Sequence, residues 1–377
     1  MLEIPAVPVL CNVLWATREE AVQAARGDIA LAFCPQCGHG WNTIFDPSLM
    51  TYNQTYENSL HFSPTFQSYA QSLAKRLVED YDIRNKDIIE IGSGQGDFLI
   101  SLCELGNNRG IGFDPSYNPD QENHQTSERV SFVQDMYSEK YTDYPADVVC
   151  SRHVLEHIPL PSTMLQNIRK AIETKSSTLL FFEVPNALFM FHDLSIYDII
   201  YEHCSYFSPG SLSYVFAANG YHVEEVREEF NGQFLSIVAN SSNTNQSATD
   251  SSSWEGLAQM RADIEVFANH YRQKVNEWNE QLATFARKGE KAVVWGAGSK
   301  GIMFLNTLQN RDQIEYVVDI NPRKQGKYIT GTGQEIVPPE FLQTYQPDVV
   351  IIMNMAYQNE IRQTLKNLGI AARCLEG

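Results

Sequence analysis

The chain has 377 residues, room for two or three domains that each bury a core. Its formal net charge of -18 argues against nucleic-acid and anionic-membrane partners and points to small-molecule ligands. No segment reaches the roughly 18 uninterrupted apolar residues of a membrane span, the first residues lack the basic start and apolar run of a signal peptide, and the cysteines are irregularly spaced, so a cytoplasmic protein is expected.

In chain order, the first chemical signal is Cys34-Pro-Gln-Cys37, with Cys11 upstream and His39 two residues on. A closed zinc shell needs four ligands. The preferred reading is a metal-free turn whose cysteines pack as small hydrophobes; zinc held by Cys11, Cys34 and Cys37 with His39 or a water is the alternative. "SYAQSLAKRLVEDY" has helical spacing, "DIIEIG" reads as a strand, "DFLISLCELG" as a helix and "RGIGFDPS" as a strand. "VSFVQD", "ADVVCSR" and "STLLFFEVPN" are further strands, separated by helix signals such as "STMLQNIRKAI". Continuous apolar runs of this kind belong to strands buried on both faces, which predicts an α/β fold with a doubly wound sheet. Residues 240–253, "NSSNTNQSATDSSS", are too polar to pack and read as a linker. Leu257, Met260, Ile264, Phe267, Tyr271, Val275, Trp278, Leu282 and Phe285 then fall on one face of a connecting helix. From about Lys291, "KAVVWG", "IEYVVDI" and "DVVIIMN" alternate with helix signals, predicting a smaller α/β unit with a parallel sheet.

Two strands run into glycine loops. In the first, Glu90 precedes Gly92, Gly94 and Gly96, and a helix follows at once, so backbone N–H groups and a positive helix end face a ligand. Asp114, at the end of the next strand, is placed to accept from both ribose hydroxyls of a nucleoside. Asp135, after the third strand, is placed to meet an adenine amino group. The acid at the mouth of the loop would repel a pyrophosphate and hold an ammonium, which points to S-adenosylmethionine. The late loop, Gly296-x-Gly298-x-x-Gly301, has Asp319 at the next strand end and Lys300 beside its glycines, which suits a phosphate. The tail has room for one βαβαβ half, so a full NAD site is not expected there. Two readings stand: a grip on the nucleotide or phosphate end of a substrate, or a structural lid over the cleft.

Together, "IIEIGSGQGDFL", "GIGFDPS", "QDMYS" and "DVVCSRHVLEHIPLP" resemble class I S-adenosylmethionine-dependent methyltransferases. "YDIIYEHCSYFSPGSL" and the tail from "VVWGAGSKGIMFLN" to "VVIIMNMAYQNEI" are similar to the three-domain C-methyltransferases that modify nucleotide-linked keto-deoxysugars in natural-product biosynthesis. The resemblance implies a zinc-binding-like module over residues 1–60, a methyltransferase domain over 61–240, a linker and connecting helix over 241–285, and a smaller Rossmann-like domain over 286–377. It implies Glu202 and His203 as the acid-base pair, His157 as a third polar group, and Tyr56 as a substrate contact, with neighbouring Tyr201 also a candidate. Ser93, Pro115, Met136 and His153 join Glu90, Gly92, Gly94, Gly96, Asp114 and Asp135 in the implied cofactor set. A lone histidine such as His153 or His157 is otherwise more often a satisfied interior residue. Members of the family carry two Cys-x-x-Cys pairs and a histidine before the Glu-His pair, where this chain has one pair and Tyr201. The expected activity is carbon methylation next to a carbonyl of a small acceptor, with O- or N-methylation as the alternative. A non-catalytic S-adenosylmethionine-binding protein and a dehydrogenase built on the late loop are the remaining readings.

Overall fold

In the computed structural model, which describes residues 2–50, 55–120, 129–144, 146–172, 177–241 and 256–377, the chain opens with three antiparallel strands. They are β1 (Leu2–Pro8), β2 (Arg26–Phe33) and β3 (Gly40–Asn42). None of them is among the predicted elements, because short strands with one wet face leave only an irregular alternation.

The predicted strands then follow: β4 (Asp87–Ile91), β5 (Arg109–Phe113), β6 (Val130–Val133), β7 (Val148–Arg152) and β8 (Leu179–Pro185), all parallel. Ile89, Val149 and Phe182 enter one buried cluster, and Ile88, Val148 and Phe181 enter another on the opposite face. That double burial is why these strands read as unbroken apolar runs. β9 (Ser205–Tyr206) leaves the series and pairs with β3, so the segment carrying Glu202 and His203 is stitched into the N-terminal sheet. β10 (His222–Glu229) and β11 (Phe234–Asn240) return as an antiparallel hairpin and complete the order β10-β11-β8-β7-β4-β5-β6. This is the class I methyltransferase arrangement. The order reverses at β4, between β5 and β7, and the loops after those strands open the crevice in which such sheets bind ligands.

Residues 242–255, most of the predicted linker, lie outside the described residues. The helix Leu257–Lys288 buries eight of the nine predicted apolar positions and leaves Val275 partly covered. It connects by packing: Phe267 stands edge-on to Phe191 at 4.9 Å, and Trp278 edge-on to Phe304 at 5.1 Å. The C-terminal sheet has five parallel strands, β12 (Ala292–Trp295), β13 (Ile314–Val318), β14 (Glu335–Val337), β15 (Val349–Ile352) and β16 (Arg373–Glu376), in the order β14-β13-β12-β15-β16. The expected single βαβαβ half is therefore extended by β14 and β16, whose sequences are short and half polar. One buried cluster runs from Ile4 and Tyr201 through Phe267 to Phe304, joining the N-terminal and C-terminal sheets through the connecting helix. Among the described residues no helix is long and apolar enough to cross a membrane.

Candidate functional site

The first glycine loop has the backbone its sequence calls for. Gly92 and Gly96 have φ of +73° and +94°, and a Cβ on either would lie 2.1 Å from Val154 and 2.2 Å from the Phe132 ring. At Gly94 a Cβ would meet nothing within 4 Å, so the backbone there faces open space. Asp114 accepts the Gly94 N–H at 2.8 Å on one oxygen, and the Ser116 N–H at 2.7 Å and hydroxyl at 2.6 Å on the other. Pro115 sits inside that turn. A carboxylate has about four acceptor positions, so it can still take ribose hydroxyls. Glu90 and Ser93 are buried, and Glu90 Oε2 and Ser93 Oγ have no hydrogen-bond partner. Burial pushes the Glu90 carboxyl up to about 8, against the pull of Arg152. An open stretch of backbone beside two orphaned buried oxygens fits an arriving ammonium and nucleoside, which is what S-adenosylmethionine presents.

Glu90 also makes a prediction. Its folded pKa lies above the ordinary carboxyl value, so the stability that neutral Glu90 contributes is full below pH 4.5 and is lost as pH rises through about 8. The ligand-free chain is expected to lose about 3 kcal/mol of this contribution between pH 6 and 9. Glu90→Gln is expected to abolish that part of the slope, which denaturant unfolding at both pH values checks.

Asp135 stands just past the end of β6, where its carboxylate accepts from the Tyr141 hydroxyl at 2.6 Å, the Met136 N–H at 2.9 Å and Lys140 at 3.2 Å. These partners, Tyr141 foremost, hold its carboxyl below the usual range. Met136 is exposed.

A buried charged network lies under the loop. Arg152, last residue of β7, points two N–H groups at Glu183 Oε1, at 2.8 and 3.1 Å, and lies 4.4 Å over the Phe98 ring. Tyr69 donates to the other Glu183 oxygen. His153 has φ of +56°, with Nε2 3.0 Å from Glu183 and Nδ1 3.7 Å from Glu156. Burial disfavours charge on His153, but the Glu156 and Glu183 carboxylates outweigh it and raise the imidazole to about 9. His153 is thus a cation within this network, and its ring is edge-on to Phe234 at 4.5 Å. Arg152, Glu183, Tyr69 and Glu156 are absent from the expected site. The available signal was a single Arg and a single Glu inside "DVVCSR" and "LLFFEVP", runs whose burial requires each charge to have a partner.

Glu202 and His203, adjacent in sequence, diverge in space. Glu202 is fully buried and accepts the Cys11 N–H at 2.6 Å and the Tyr56 hydroxyl at 2.7 Å. His203 turns the other way, its ring edge-on to His157 at 4.9 Å, with Nδ1 buried and unpartnered. His157 gives its Nδ1 proton to the Glu202 carbonyl at 2.9 Å, which turns the Nε2 lone pair toward Glu156, 4.0 Å away. Burial lowers both imidazoles to about 4, so each is neutral at pH 7. The Tyr201 hydroxyl accepts the Asp46 N–H at 2.9 Å and its ring covers Gly27, tying the segment to the N-terminal sheet.

Glu156, His157 and His203 bring their donor atoms within 4.8 Å of one another. The cysteines do not assemble the alternative zinc set. Cys34 and Cys37 share a turn closed by Cys34 N–H to the His39 carbonyl at 2.8 Å and Gly38 N–H to the Cys34 carbonyl at 3.0 Å. Cys11 is elsewhere, with its amide on Glu202 and its carbonyl accepting from Thr330 at 2.9 Å. His39 is packed between Trp41 and Phe207. Among the described residues these side chains form no group of three ligands.

The late loop repeats the clasp of the first. Asp319 accepts the Ala297 N–H at 2.8 Å and the Asn321 N–H at 2.8 Å, as Asp114 does with Gly94 and Ser116. A Cβ on Gly301 would lie 2.0 Å from the Gly296 carbonyl, so that glycine lets helix and strand touch. Lys300, beside the late loop's glycines, reaches Asp198 at 2.7 Å and Ser195 at 3.0 Å, between β8 and β9.

Comparisons with known proteins agree with this architecture. Residues 65–226 match the methyltransferase domain family, and residues 236–372 match the C-methyltransferase C-terminal domain family. The C-methyltransferase NovU of Streptomyces niveus is 25% identical over 311 residues, which cover 78% of this chain and 72% of that protein. Similar solved structures include the 1,6-didemethyltoxoflavin-N1-methyltransferase of Burkholderia thailandensis, 15% identical, covering 54% of this chain and 96% of that one with a TM-score of 0.37. An S-adenosylmethionine-dependent methyltransferase of Aquifex aeolicus is 14% identical, covering 46% of this chain and 97% of that one with a TM-score of 0.34. With both family matches in one chain, this protein is an S-adenosylmethionine-dependent methyltransferase that carries a C-methyltransferase C-terminal domain.

Proposed function

We propose that the enzyme methylates a carbon next to the carbonyl of a small acceptor in the cytoplasm, in natural-product biosynthesis, and that the acceptor is a nucleotide-linked keto sugar. The observation that carries this reading is the unpartnered Nδ1 of a neutral, buried His203 at the carboxyl edge of the sheet, beside His157 and Glu156. Carbon methylation requires a base that removes the proton next to the carbonyl. His203 Nδ1 is the proton acceptor; once protonated it becomes the donor nearest the enolate oxygen. His157 Nε2 and the Glu156 carboxylate accept hydroxyl hydrogens of the acceptor and fix which carbon faces His203. Glu202, filled by Cys11 and Tyr56, positions the segment and takes no proton itself. The bound cofactor supplies an electrophilic methyl group, and Glu90, Gly94 and Asp114 hold its amino-acid and ribose ends.

The test uses cofactor with a ¹³C-labelled methyl group and a panel of nucleoside-diphosphate 4-keto-6-deoxysugars. The expected product carries the label at a carbon-bound methyl shift. A heteroatom-bound label would replace this reading with O- or N-methylation. His203→Asn is expected to bind S-adenosylhomocysteine normally and lose turnover by at least about 100-fold; full turnover would remove His203 from the base role.

A further inference from the structure

The C-terminal domain grips residues 11–15 between itself and the segment that carries Tyr56. The Thr330 hydroxyl donates to the Cys11 carbonyl at 2.9 Å, the buried Lys324 donates to the Asn12 side chain at 3.2 Å, and the Tyr328 N–H donates to the Trp15 carbonyl at 3.3 Å. On the other side Val13 bridges Tyr56, and the Glu57 N–H donates to the Asn12 carbonyl at 2.8 Å. Thr330 is itself pinned. Its hydroxyl accepts the Trp15 indole N–H at 3.0 Å, and its carbonyl accepts from Asn306 at 2.9 Å, on the helix Ser299–Thr307 that follows the late glycine loop. Cys11 passes the grip on, because its N–H donates to Glu202 at 2.6 Å. Thr330, Cys11 and Glu202 are 1%, 1% and 0% exposed, so solvent does not compete for these bonds.

We propose that Thr330 is a positioning residue for Glu202, acting through the backbone of Cys11, so that the C-terminal domain holds the methyl-transfer segment in place. The inference rests on the reading in which Glu202 positions that segment. One residue makes both bonds, so turning Cys11 to relieve its carbonyl also moves its N–H. A carbonyl left buried without a donor is costly, and without the Thr330 hydroxyl the Cys11 backbone turns toward another partner, drawing its N–H away from the Glu202 carboxylate. The Tyr56 hydroxyl stays on the other Glu202 oxygen, 2.7 Å away, so the expected change is a displacement and not a loss of the fold.

The experiment reads the Cys11 amide proton by NMR in the full chain labelled with ¹⁵N-cysteine, its signal identified by its absence from Cys11→Ala. A short hydrogen bond to a carboxylate holds such a proton far downfield. Thr330→Val, which keeps the shape and removes the hydroxyl, is expected to move it upfield; Thr330→Ser, which restores the donor, should return it to the wild-type position. Glu202→Gln is expected to move it upfield as well, which identifies the acceptor. The Cys150 amide, in the middle of β7, is expected to stay in place in each, so a general loosening of the fold is told apart. Thr330→Ala serves if the valine variant does not fold. None of these readings needs an acceptor or turnover, so failure of the methyl-transfer reading and failure of this proposal are separate results. With an acceptor that is methylated, Thr330→Val is expected to lower kcat about tenfold, the equivalent of one orphaned buried hydrogen-bonding group, with S-adenosylhomocysteine affinity unchanged. A Cys11 amide that does not move in folded Thr330→Val, or that moves equally in Thr330→Ser, overturns the proposal, and so does full turnover in Thr330→Val.

Discussion

Asp114→Ala is expected to weaken S-adenosylhomocysteine binding by about 10²–10⁴-fold. Two ribose hydroxyls on one carboxylate are two charge-assisted hydrogen bonds of about 1.5–3 kcal/mol each, and each 1.4 kcal/mol is about tenfold in affinity. The same carboxylate also fixes the loop through the Gly94 N–H and the Ser116 turn, so its removal loosens the surface against which the nucleoside lies. Asp114→Asn separates the two effects: an amide keeps one acceptor for the turn and is expected to lose less. Titration calorimetry gives the affinities directly, and unchanged affinity in Asp114→Ala would place the ribose elsewhere.

The second large effect concerns stability. Arg152→Met is expected to cost about 3–5 kcal/mol, because it leaves Glu183 buried without its main counter-charge. Neutralising Glu183 as well, in Arg152→Met with Glu183→Gln, is expected to restore most of the loss, since the cost lies in an orphaned charge rather than in missing packing. Burial alone would push the Glu183 carboxyl up, but Arg152 and then His153 hold it down at about 2. A depressed carboxyl contributes stability that is full above its unfolded value near 4.5 and is lost as pH falls through about 2. The wild-type chain should therefore keep most of this contribution at pH 4, where Arg152→Met still shows a deficit. Denaturant unfolding at pH 7 and pH 4 checks both statements; a deficit below 1 kcal/mol at pH 7 would mean that His153 and Tyr69 suffice for Glu183.

The parallel strands and the connecting helix were legible because burial on both faces, or along one helical stripe, writes itself into the order of apolar residues. The β10–β11 hairpin was not: "HVEEVREE" lies at a sheet edge, where charged residues are ordinary and the periodic signal fades. Glycine chemistry located both loops, since each needs a backbone that only glycine adopts or a helix end that only glycine can approach. It could not tell their uses apart. Lys300 looks the same in sequence whether it meets a phosphate or Asp198, 102 residues earlier, and only the packing of its helix on the turn Ile196–Asp198 decides. The Glu202-His203 pair shows the same limit. Neighbours in sequence suggested a carboxylate orienting its imidazole, yet Glu202 points to Cys11 and Tyr56 while His203 points to His157, because the two side chains leave a turn, closed by the His203 N–H on the Ile200 carbonyl, in different directions.

The pairing of β3 with β9 has a consequence for how the chain is made. Gly40 lies opposite Tyr206, so the third strand leaves the ribosome 166 residues before its partner. At about 5–20 residues per second that is a wait on the order of ten seconds or more. The wait lengthens for Arg26, whose partner is the Gly331 carbonyl, and for Cys11, whose carbonyl receives Thr330. The part synthesised first is thus the part finished last, and during that interval its open edge at β3 is available to chaperones or to a second nascent chain.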